Sequence, residues 1–496
     1  MSDPNGKQVT VIGAGLGGIS AALSLRARGF EVDIYEKNDK IGGKLNVLKQ
    51  EGYSFDLGPS IMTLPHYFEP LFTMHGRRLQ DYISLVPLRP HWRNHFEDGR
   101  VVDLHPETDR MNAELDKLGT PGLRAAFARF MEYSGRQYDL AARGYFAGLD
   151  TLGEMIRHYG LWTTFTRFDF LRTMDQGVRR YIRDPYLIDI LDFFIKYVGS
   201  SAYHAPGFMN LMPTIQYRYD LWYAEGGMYN IALGLKRLLE ETGVRVHLNS
   251  EVTAILREDR RVTGIRTGEG DVPADVVVSN MEVIPAYESL LDESPSFLKS
   301  LKKFAPACSG LVIDLGLDCR YEQLAHHNFF FSSNQRQHFH SVFQEKKLPH
   351  DPTIYLVCAS RTDPTVAPDG RDCLKILPHI PPINDTHPYT HEDYLGLKER
   401  ILDKLERMGL TDLRRHVVFE HLWTPHDIQK MYYSNRGSIY GVVSDRGKNL
   451  AFKAPKRSRK YDNLFFVGGS VNPGGGMPMV VLSGQNAADR IANEYG

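Results

Sequence analysis

Residues 8–37 read QVTVIGAGLGGISAALSLRARGFEVDIYEK. Residues 9–12 are a short apolar run, the pattern of a parallel strand buried on both faces. Gly13, Gly15 and Gly18 follow as G-x-G-x-x-G. Leu16, Ile19 and Leu23 then recur at helical spacing, and Gly29 stands where a helix would stop. Residues 31–35 form the next strand, and Glu36 closes it. In such a strand–turn–helix–strand unit the first glycine permits the tight turn and the second lets backbone N–H groups approach a pyrophosphate. The third lets helix and strand pack closely, and the helix N-terminus favours the phosphate charge. Glu36 lies 18 residues past Gly18, where a carboxylate binds an adenosine ribose hydroxyl. The unit predicts a dinucleotide site on an α/β, Rossmann-like domain.

Two more glycine clusters follow it: KIGGKLN (residues 40–46) and GYSFDLGPS (residues 52–60). Each has the backbone freedom to wrap a phosphate or a ring edge, and each alone is also compatible with a solvent turn. Near the other end of the chain, NLFFVGG (residues 463–469) reads as a buried strand. VNPGGGMPM (residues 471–479) reads as a loop, and residues 480–493 as a helix. A glycine loop thus again joins a strand to a helix N-terminus, whose positive end suits an anionic ring. No second G-x-G-x-x-G occurs. One dinucleotide motif with a distant glycine loop points to FAD rather than a nicotinamide cofactor. A hydride would then come from the substrate, and O₂, a quinone or another acceptor would re-oxidise the flavin. No Ser/His/Asp order, H-E-x-x-H or P-loop suggests a competing chemistry.

Length and composition bound the rest. With 496 residues, two or three domains are expected. A net charge of −1 gives no basic field for nucleic acid. Cys308, Cys319, Cys358 and Cys373 form no C-x-x-C pair, so neither a metal site nor a disulfide framework is indicated, and reduced thiols in a cytoplasmic protein are expected. No signal peptide is expected before the first strand. No apolar run approaches the ~18 residues of a membrane span, so any membrane attachment would be peripheral.

Between the glycine clusters the texture is aromatic. Residues 91–102 read as a hairpin turning at Asp98-Gly99, and residues 113–142 as one helix. Leu152, Met155, Ile156 and Tyr159 fall on one helical face. Phe165, Phe168, Phe170 and Leu171 form an apolar patch among Arg167, Arg172, Arg179, Arg180 and Arg183. Such a mixture suits a helix in a membrane interface, and equally a packing helix with a basic edge. YRYDLWYAEGGMY (residues 217–229) gathers tyrosines and Trp222 before Gly226-Gly227, an aromatic wall for an elongated apolar ligand or an ordinary aromatic core. Further strands are expected at residues 244–248, 251–256, 261–267, 276–279, 311–317 and 353–358, with helices at 231–241 and 391–408. His326-His327 precede three phenylalanines. Adjacent strand residues point to opposite faces, so a metal pair is not expected, and one histidine could face a pocket.

Taken together, V-I-G-x-G-x-x-G (residues 11–18), Glu36-Lys37, IGGK (residues 41–44), FDLGPS (residues 55–60), EGGMY (residues 225–229) and the PGGGMP loop (residues 473–478) resemble the bacterial carotenoid desaturases and oxygenases, over essentially the whole chain. Within that family the resemblance is greatest to the diaponeurosporene oxygenase branch, through FFIKYVGSS (193–201), SNMEVIP (279–285), LAHHNFFF (324–331), DPTIYLV (351–357), SNRGSIYGVV (434–443) and GGSVNPGGGMPMV (468–480). The desaturases tend to carry threonine-histidine before the terminal P-G, where this chain has Val471-Asn472.

The resemblance implies an FAD domain of the flavin amine oxidase/phytoene desaturase type, assembled from residues 1–75, 225–290 and 430–496. It also implies a mixed α+β substrate domain from 76–224 and 291–429, with a helical part that contacts the membrane. FAD would be held by Gly13, Gly15, Leu16, Gly17, Gly18, Glu36, Lys37, Gly43, Lys44, Gly58, Pro59, Ser60, Val252, Gly468, Gly469, Gly476 and Met477. Val252 would flank the adenine, and Lys44 would approach the pyrophosphate. His326 and His327 are the candidate catalytic side chains, and each also reads as a hydrogen-bonded strand histidine. The implied reaction is oxidation of a terminal methyl of a C30 carotenoid to an aldehyde, at the inner face of the cell membrane. Open alternatives are a carotenoid desaturase, a non-enzymatic lipid carrier on a flavin fold, and a soluble amine oxidase.

Overall fold

The computed structural model describes residues 6–496. Its central sheet has five strands in the order Leu464–Phe466, Val276–Ser279, Gln8–Ile12, Glu31–Tyr35 and Arg245–His247, all parallel. Val9, Val11, Ile34, Val276, Val277, Val278 and Leu464 are wholly buried, as continuous apolar runs require when both faces are covered. The helix Leu16–Arg26 covers one face. It is buried almost all round rather than along one stripe, because the C-terminal helix Met477–Tyr495 lies against its outer side. Small residues allow that approach. Ser20 Oγ donates to the Val481 carbonyl at 2.6 Å, and a Cβ at Gly484 would stand 2.5 Å from the Gly17 carbonyl. Val252–Glu258, Arg261–Thr267 and Gly270–Pro273 form a separate antiparallel sheet.

A second large sheet runs Val417–Trp423, Val312–Leu317, Cys373–Ile380, Ile354–Cys358, His327–Phe330, Trp92–His95, Val101–Leu104, with Ser309–Gly310 added to Cys373–Ile380. Its pairings are antiparallel except where His327–Phe330 meets Trp92–His95. Ile313, Leu315, Leu356, Leu374 and Ile376 pack on one side against Leu397, Ile401 and Leu405 of the helix His391–Arg407. The other side meets an aromatic cluster around Trp92, Phe193 and Phe329. Both faces of Cys373–Ile380 are therefore buried, and Lys375 and His379 are the residues in that strand that apolar packing does not explain.

Three expectations need correction. The single helix at 113–142 is two, Thr108–Lys117 and Leu123–Arg143. Gly119 and Gly122 both take positive φ (72° and 73°) around Pro121 and end the first helix. The C-terminal helix starts at Met477, with Pro478 in its first turn, where a missing N–H costs nothing. Lastly, the apolar patch at 165–171 is only half a surface. Phe168 and Phe170 are core, stacked on one another at 5.4 Å. Phe165 and Leu171 are exposed, together with Leu161 and Trp162, at 64% and 77% for the last two. Among the described residues, no helix is long and apolar enough to cross a membrane.

Candidate functional site: a cleft with a glycine end and an apolar wall

One cavity opens at the carboxyl ends of the parallel strands, the usual ligand position in an open α/β sheet. The turn after Gln8–Ile12 forms its floor. Gly13 has φ 91°, which a side chain would strain, and its N–H donates to the Tyr35 carbonyl at 2.8 Å. Gly15, Leu16 and Gly17 line the cavity, whereas Gly18 does not. Gly18 lies beneath the turn, where a Cβ would stand 2.2 Å from the Gly13 carbonyl oxygen. Its part is to let the helix sit on the turn, and the backbone at 15–17 is the portion left facing a ligand.

Glu36 is buried at the end of its strand. One carboxylate oxygen accepts the Ala14 N–H at 2.8 Å; the other accepts the Asn38 N–H at 2.9 Å and the Asn38 side-chain amide at 2.7 Å. The acid thus ties the glycine turn to the next loop and lines the cavity; Oε2, with a single donor, keeps accepting capacity. Lys37 and Val252 line the same end. The Lys37 ammonium lies 3.6 Å from the centroid of Tyr433 and donates to the Lys430 carbonyl; burial holds its pKa below the usual lysine range. Gly43 and Lys44 approach from the second glycine cluster, where Gly42 N–H donates to the Ala14 carbonyl at 2.8 Å. Lys44 Nζ is 3.1 Å from Glu282 Oε1 and donates to the Ser438 carbonyl at 2.9 Å.

Gly58, Pro59 and Ser60 line the middle of the cavity, and Gly468, Gly469, Gly476 and Met477 its C-terminal side, at the N-terminus of the last helix. Ser60 Oγ accepts from Lys375 Nζ at 3.0 Å, and the Gly58 carbonyl accepts from the same ammonium. Burial lowers the pKa of Lys375, opposed by the nearby carboxylates Asp314 and Asp56. Burial also pushes Asp56 up to about 6, despite Lys375 and the Met228 and Tyr229 amides. The cavity's far wall is apolar: Tyr145, Phe146, Phe208, Leu211, Met212, Ile215 and Leu377 face it.

These residues fit FAD. A backbone cradle that a Cβ would fill, a buried carboxylate closing the second strand and a second glycine loop at a helix N-terminus are what a long dinucleotide with an anionic pyrophosphate requires.

Two other expected features lie elsewhere. The aromatic stretch at 217–229 does not line the cavity; Tyr217 packs on Phe127 at 5.7 Å, and Trp222 bridges to Met62. That strand, Trp222–Ala224, pairs with Leu85–Pro87 and spends its aromatics on the core. His326 and His327 also lie outside the cavity lining. Their rings do not diverge, because the strand begins only at His327; the centroids are 4.5 Å apart, edge to face. His326 Nδ1 pairs with Thr362 Oγ1 at 2.8 Å, and His327 Nδ1 with the Tyr355 hydroxyl at 3.0 Å. Burial pushes His326 down to about 3 and His327 well below its usual range. Tyr355 does line the cavity, so His327 reaches it through one intermediary.

Sequence reading missed Asn280, Lys375 and Tyr440, all on the lining. Asn280 Oδ1 accepts the Gly18 N–H at 3.1 Å, and its Nδ2 would stand 2.5 Å from a Cβ at Gly15. Its signal was its place, directly after a buried parallel strand. The signal for Lys375 was a lone charge inside an apolar run.

Comparison with known proteins agrees with this geometry. The family described as flavin containing amine oxidoreductase matches residues 16–492. A 4,4'-diapolycopene oxygenase of Methylomonas sp is 56% identical, with 99% of each chain covered. A 4,4'-diaponeurosporene oxygenase of Staphylococcus aureus (strain USA300) is 48% identical, with 98% of each covered. Among solved structures, an oxidoreductase from Methanosarcina mazei superimposes with TM-score 0.64 at 16% identity, over 97% of this chain and 100% of that one. A redesigned putrescine oxidase does so with TM-score 0.64 at 15% identity, over 98% and 99%. The last two establish the fold alone. The chain belongs to the flavin-containing amine oxidoreductase family, in the group that holds these two oxygenases, and is an oxidoreductase whose cofactor is FAD.

Proposed function

We propose that the protein oxidises a terminal methyl group of a linear C30 carotenoid, such as 4,4'-diaponeurosporene or 4,4'-diapolycopene, to an aldehyde. The observation that carries this reading is the junction within one cavity of a backbone-lined nucleotide end and a wall of Phe146, Phe208, Leu211, Met212 and Ile215. The activities for which the two oxygenase relatives are named support it.

FAD, when bound, supplies hydride acceptance. The chain's own task is to orient an apolar chain and control water, since such a hydrocarbon offers no group for a nucleophile or a general base. Gly13, Gly15, Leu16, Gly17, Glu36, Lys37, Gly43, Lys44, Gly58, Pro59, Ser60, Val252, Gly468, Gly469, Gly476 and Met477 would hold the cofactor, with Gly18 supporting them from beneath. The apolar wall would align the polyene, and Lys375 would fix the loop at Gly58 and Ser60. The inserted oxygen is assigned to water, with O₂ or a quinone re-oxidising the flavin; product labelled from ¹⁸O₂ and not from H₂¹⁸O would overturn that assignment.

The division into an FAD domain (1–75, 225–290, 430–496) and a substrate domain (76–224, 291–429) belongs to the same proposal. So does peripheral attachment to the inner face of the cell membrane through the exposed Leu161, Trp162, Phe165 and Leu171. The test is mass analysis of products after the flavin-loaded protein meets 4,4'-diaponeurosporene or, separately, 4,4'-diapophytoene in liposomes. Oxygen gained on the first, with the second untouched, is expected. Loss of hydrogen pairs from the second without oxygen gain would make the protein a desaturase.

A further inference from the structure

Two polar side chains on the apolar wall have hydrogen-bonding capacity that the protein does not use. Lys196, in the tight turn Phe194–Val198, lines the cavity and is 3% exposed. Its Nζ lies 4.0 Å from the centroid of Tyr355, 4.8 Å from Tyr197, 4.9 Å from Phe329 and 5.2 Å from Trp92. Among the described residues no carboxylate or hydrogen-bond acceptor pairs with it; the charge that bears on it is another cation, Lys375. Gln216 is wholly buried and lines the same cavity. Its Oε1 accepts from the Tyr197 hydroxyl at 3.2 Å, while its Nε2 has no partner. Tyr197 therefore connects the two, its ring under the lysine and its hydroxyl on the glutamine. Lys375, by contrast, is hydrogen-bonded to Gly58 and Ser60.

Burying a donor without an acceptor costs free energy that a hydrocarbon cannot return. The rings offset part of that cost for an ammonium, and whether charged or neutral, Nζ keeps an N–H to donate. A ligand oxygen in the cavity would find an unused donor on each side chain. We propose that Lys196 and Gln216 form a subsite for the terminal oxygen, hydroxyl or aldehyde, of a partly oxidised linear polyene. It would retain the alcohol against the surrounding lipid until the second oxidation. This rests on the carotenoid reading above.

The test uses flavin-loaded protein and two probes in phosphatidylcholine liposomes: a C30 polyene with one aldehyde terminus, and the methyl-terminated hydrocarbon of equal conjugation. Tryptophan quenching gives the affinities, and the polyene absorption band reports the aldehyde's surroundings. The wild type is expected to bind the aldehyde at least tenfold more tightly and to shift its band to the red. Lys196→Met and Gln216→Leu are each expected to cut the preference about tenfold, with hydrocarbon affinity and flavin content kept. Gln216→Leu decides the matter if Lys196→Met does not fold. Equal affinities in the wild type, or variants that weaken both probes alike, would overturn the subsite while leaving the carotenoid reading in place. A wild type that binds neither probe would remove both.

Discussion

Around residues 13–18 the cavity is walled by main chain, and around residues 208–216 by side chains. At the glycine end the contacts are fixed to fractions of an ångström: a Cβ at Gly18 would meet the Gly13 carbonyl at 2.2 Å, and one at Gly17 the Gly468 nitrogen at 2.9 Å. At the apolar wall Phe208 packs edge to face on Tyr145 at 5.7 Å and on Phe170 at 5.0 Å, contacts that other side chains could remake. The first end should respond to substitution as an all-or-none cradle, and the second in proportion to volume lost. The contrast explains how one nucleotide-binding frame can serve unrelated substrates: the wall is free to vary and the cradle is not.

The largest effect expected is at Gly18. Gly18→Val should leave no protein with bound FAD, because backbone rather than a flexible tip blocks the added atoms. Phe208→Leu should keep full flavin content and lower stability by about 1–3 kcal/mol. Flavin absorbance per chain and thermal unfolding read both, and similar outcomes at the two positions would break the contrast.

Acid should separate the halves next. Burial lowers His95 to about 4 and His326, His338 and His379 to about 3, and all four lie in or beside the second sheet. Since the folded pKa is depressed, the stability these groups contribute is present above the unfolded value near 6.5 and is lost as pH falls towards 4 and then 3. Each unit is worth about 1.4 kcal/mol per group. Asp56 and Asp189, raised to about 6, and Asp192 and Asp314, also raised by burial, act oppositely: they favour the folded state as pH falls through that range and offset part of the histidines' loss. Denaturant melts of the holoprotein at successive pH values should show the half built on the second large sheet failing before flavin is released. Simultaneous loss would mean that the halves unfold as one.

A smaller effect is expected at Glu36. Glu36→Gln keeps an acceptor for the Ala14 N–H but removes the charge, so apoprotein titrated with FAD should bind about tenfold more weakly. Smallest of all, Trp162→Ser should reduce co-sedimentation with liposomes while changing stability by no more than about 0.5 kcal/mol. Unchanged sedimentation would remove that face from the membrane proposal.

The glycine end could be read in the sequence because its determinants are local. A strand, a turn and a helix fall within residues 8–26, and the motif's spacing is enforced by hydrogen bonds and steric contacts between near neighbours. Asn280 escaped because its link to Gly18 spans more than two hundred residues and involves an ordinary amide. The apolar wall stayed undecided for a related reason. Residues 217–229 look like a ligand wall in composition, yet pairing with Leu85–Pro87 turns them into core, and the true wall draws on less conspicuous residues such as Leu211 and Ile215. Aromatic content signals burial but not what is on the other side of the ring. The expected divergence of the two histidine rings failed on register: one residue's difference in where the strand begins brought two rings together that strict alternation would separate.

The parallel sheet has an order of manufacture built into it. The central strand Gln8–Ile12 is made roughly 450 residues before the edge strand Leu464–Phe466 and the helix that covers Leu16–Arg26. At about 5–20 residues per second, the nucleotide turn waits some tens of seconds for its last partners. During that time the apolar flank of Leu16–Arg26 has nothing to close it. The first part of the flavin cradle is thus made long before its last, so chains that stop short of Met477 would present that flank to chaperones and proteases instead of to FAD.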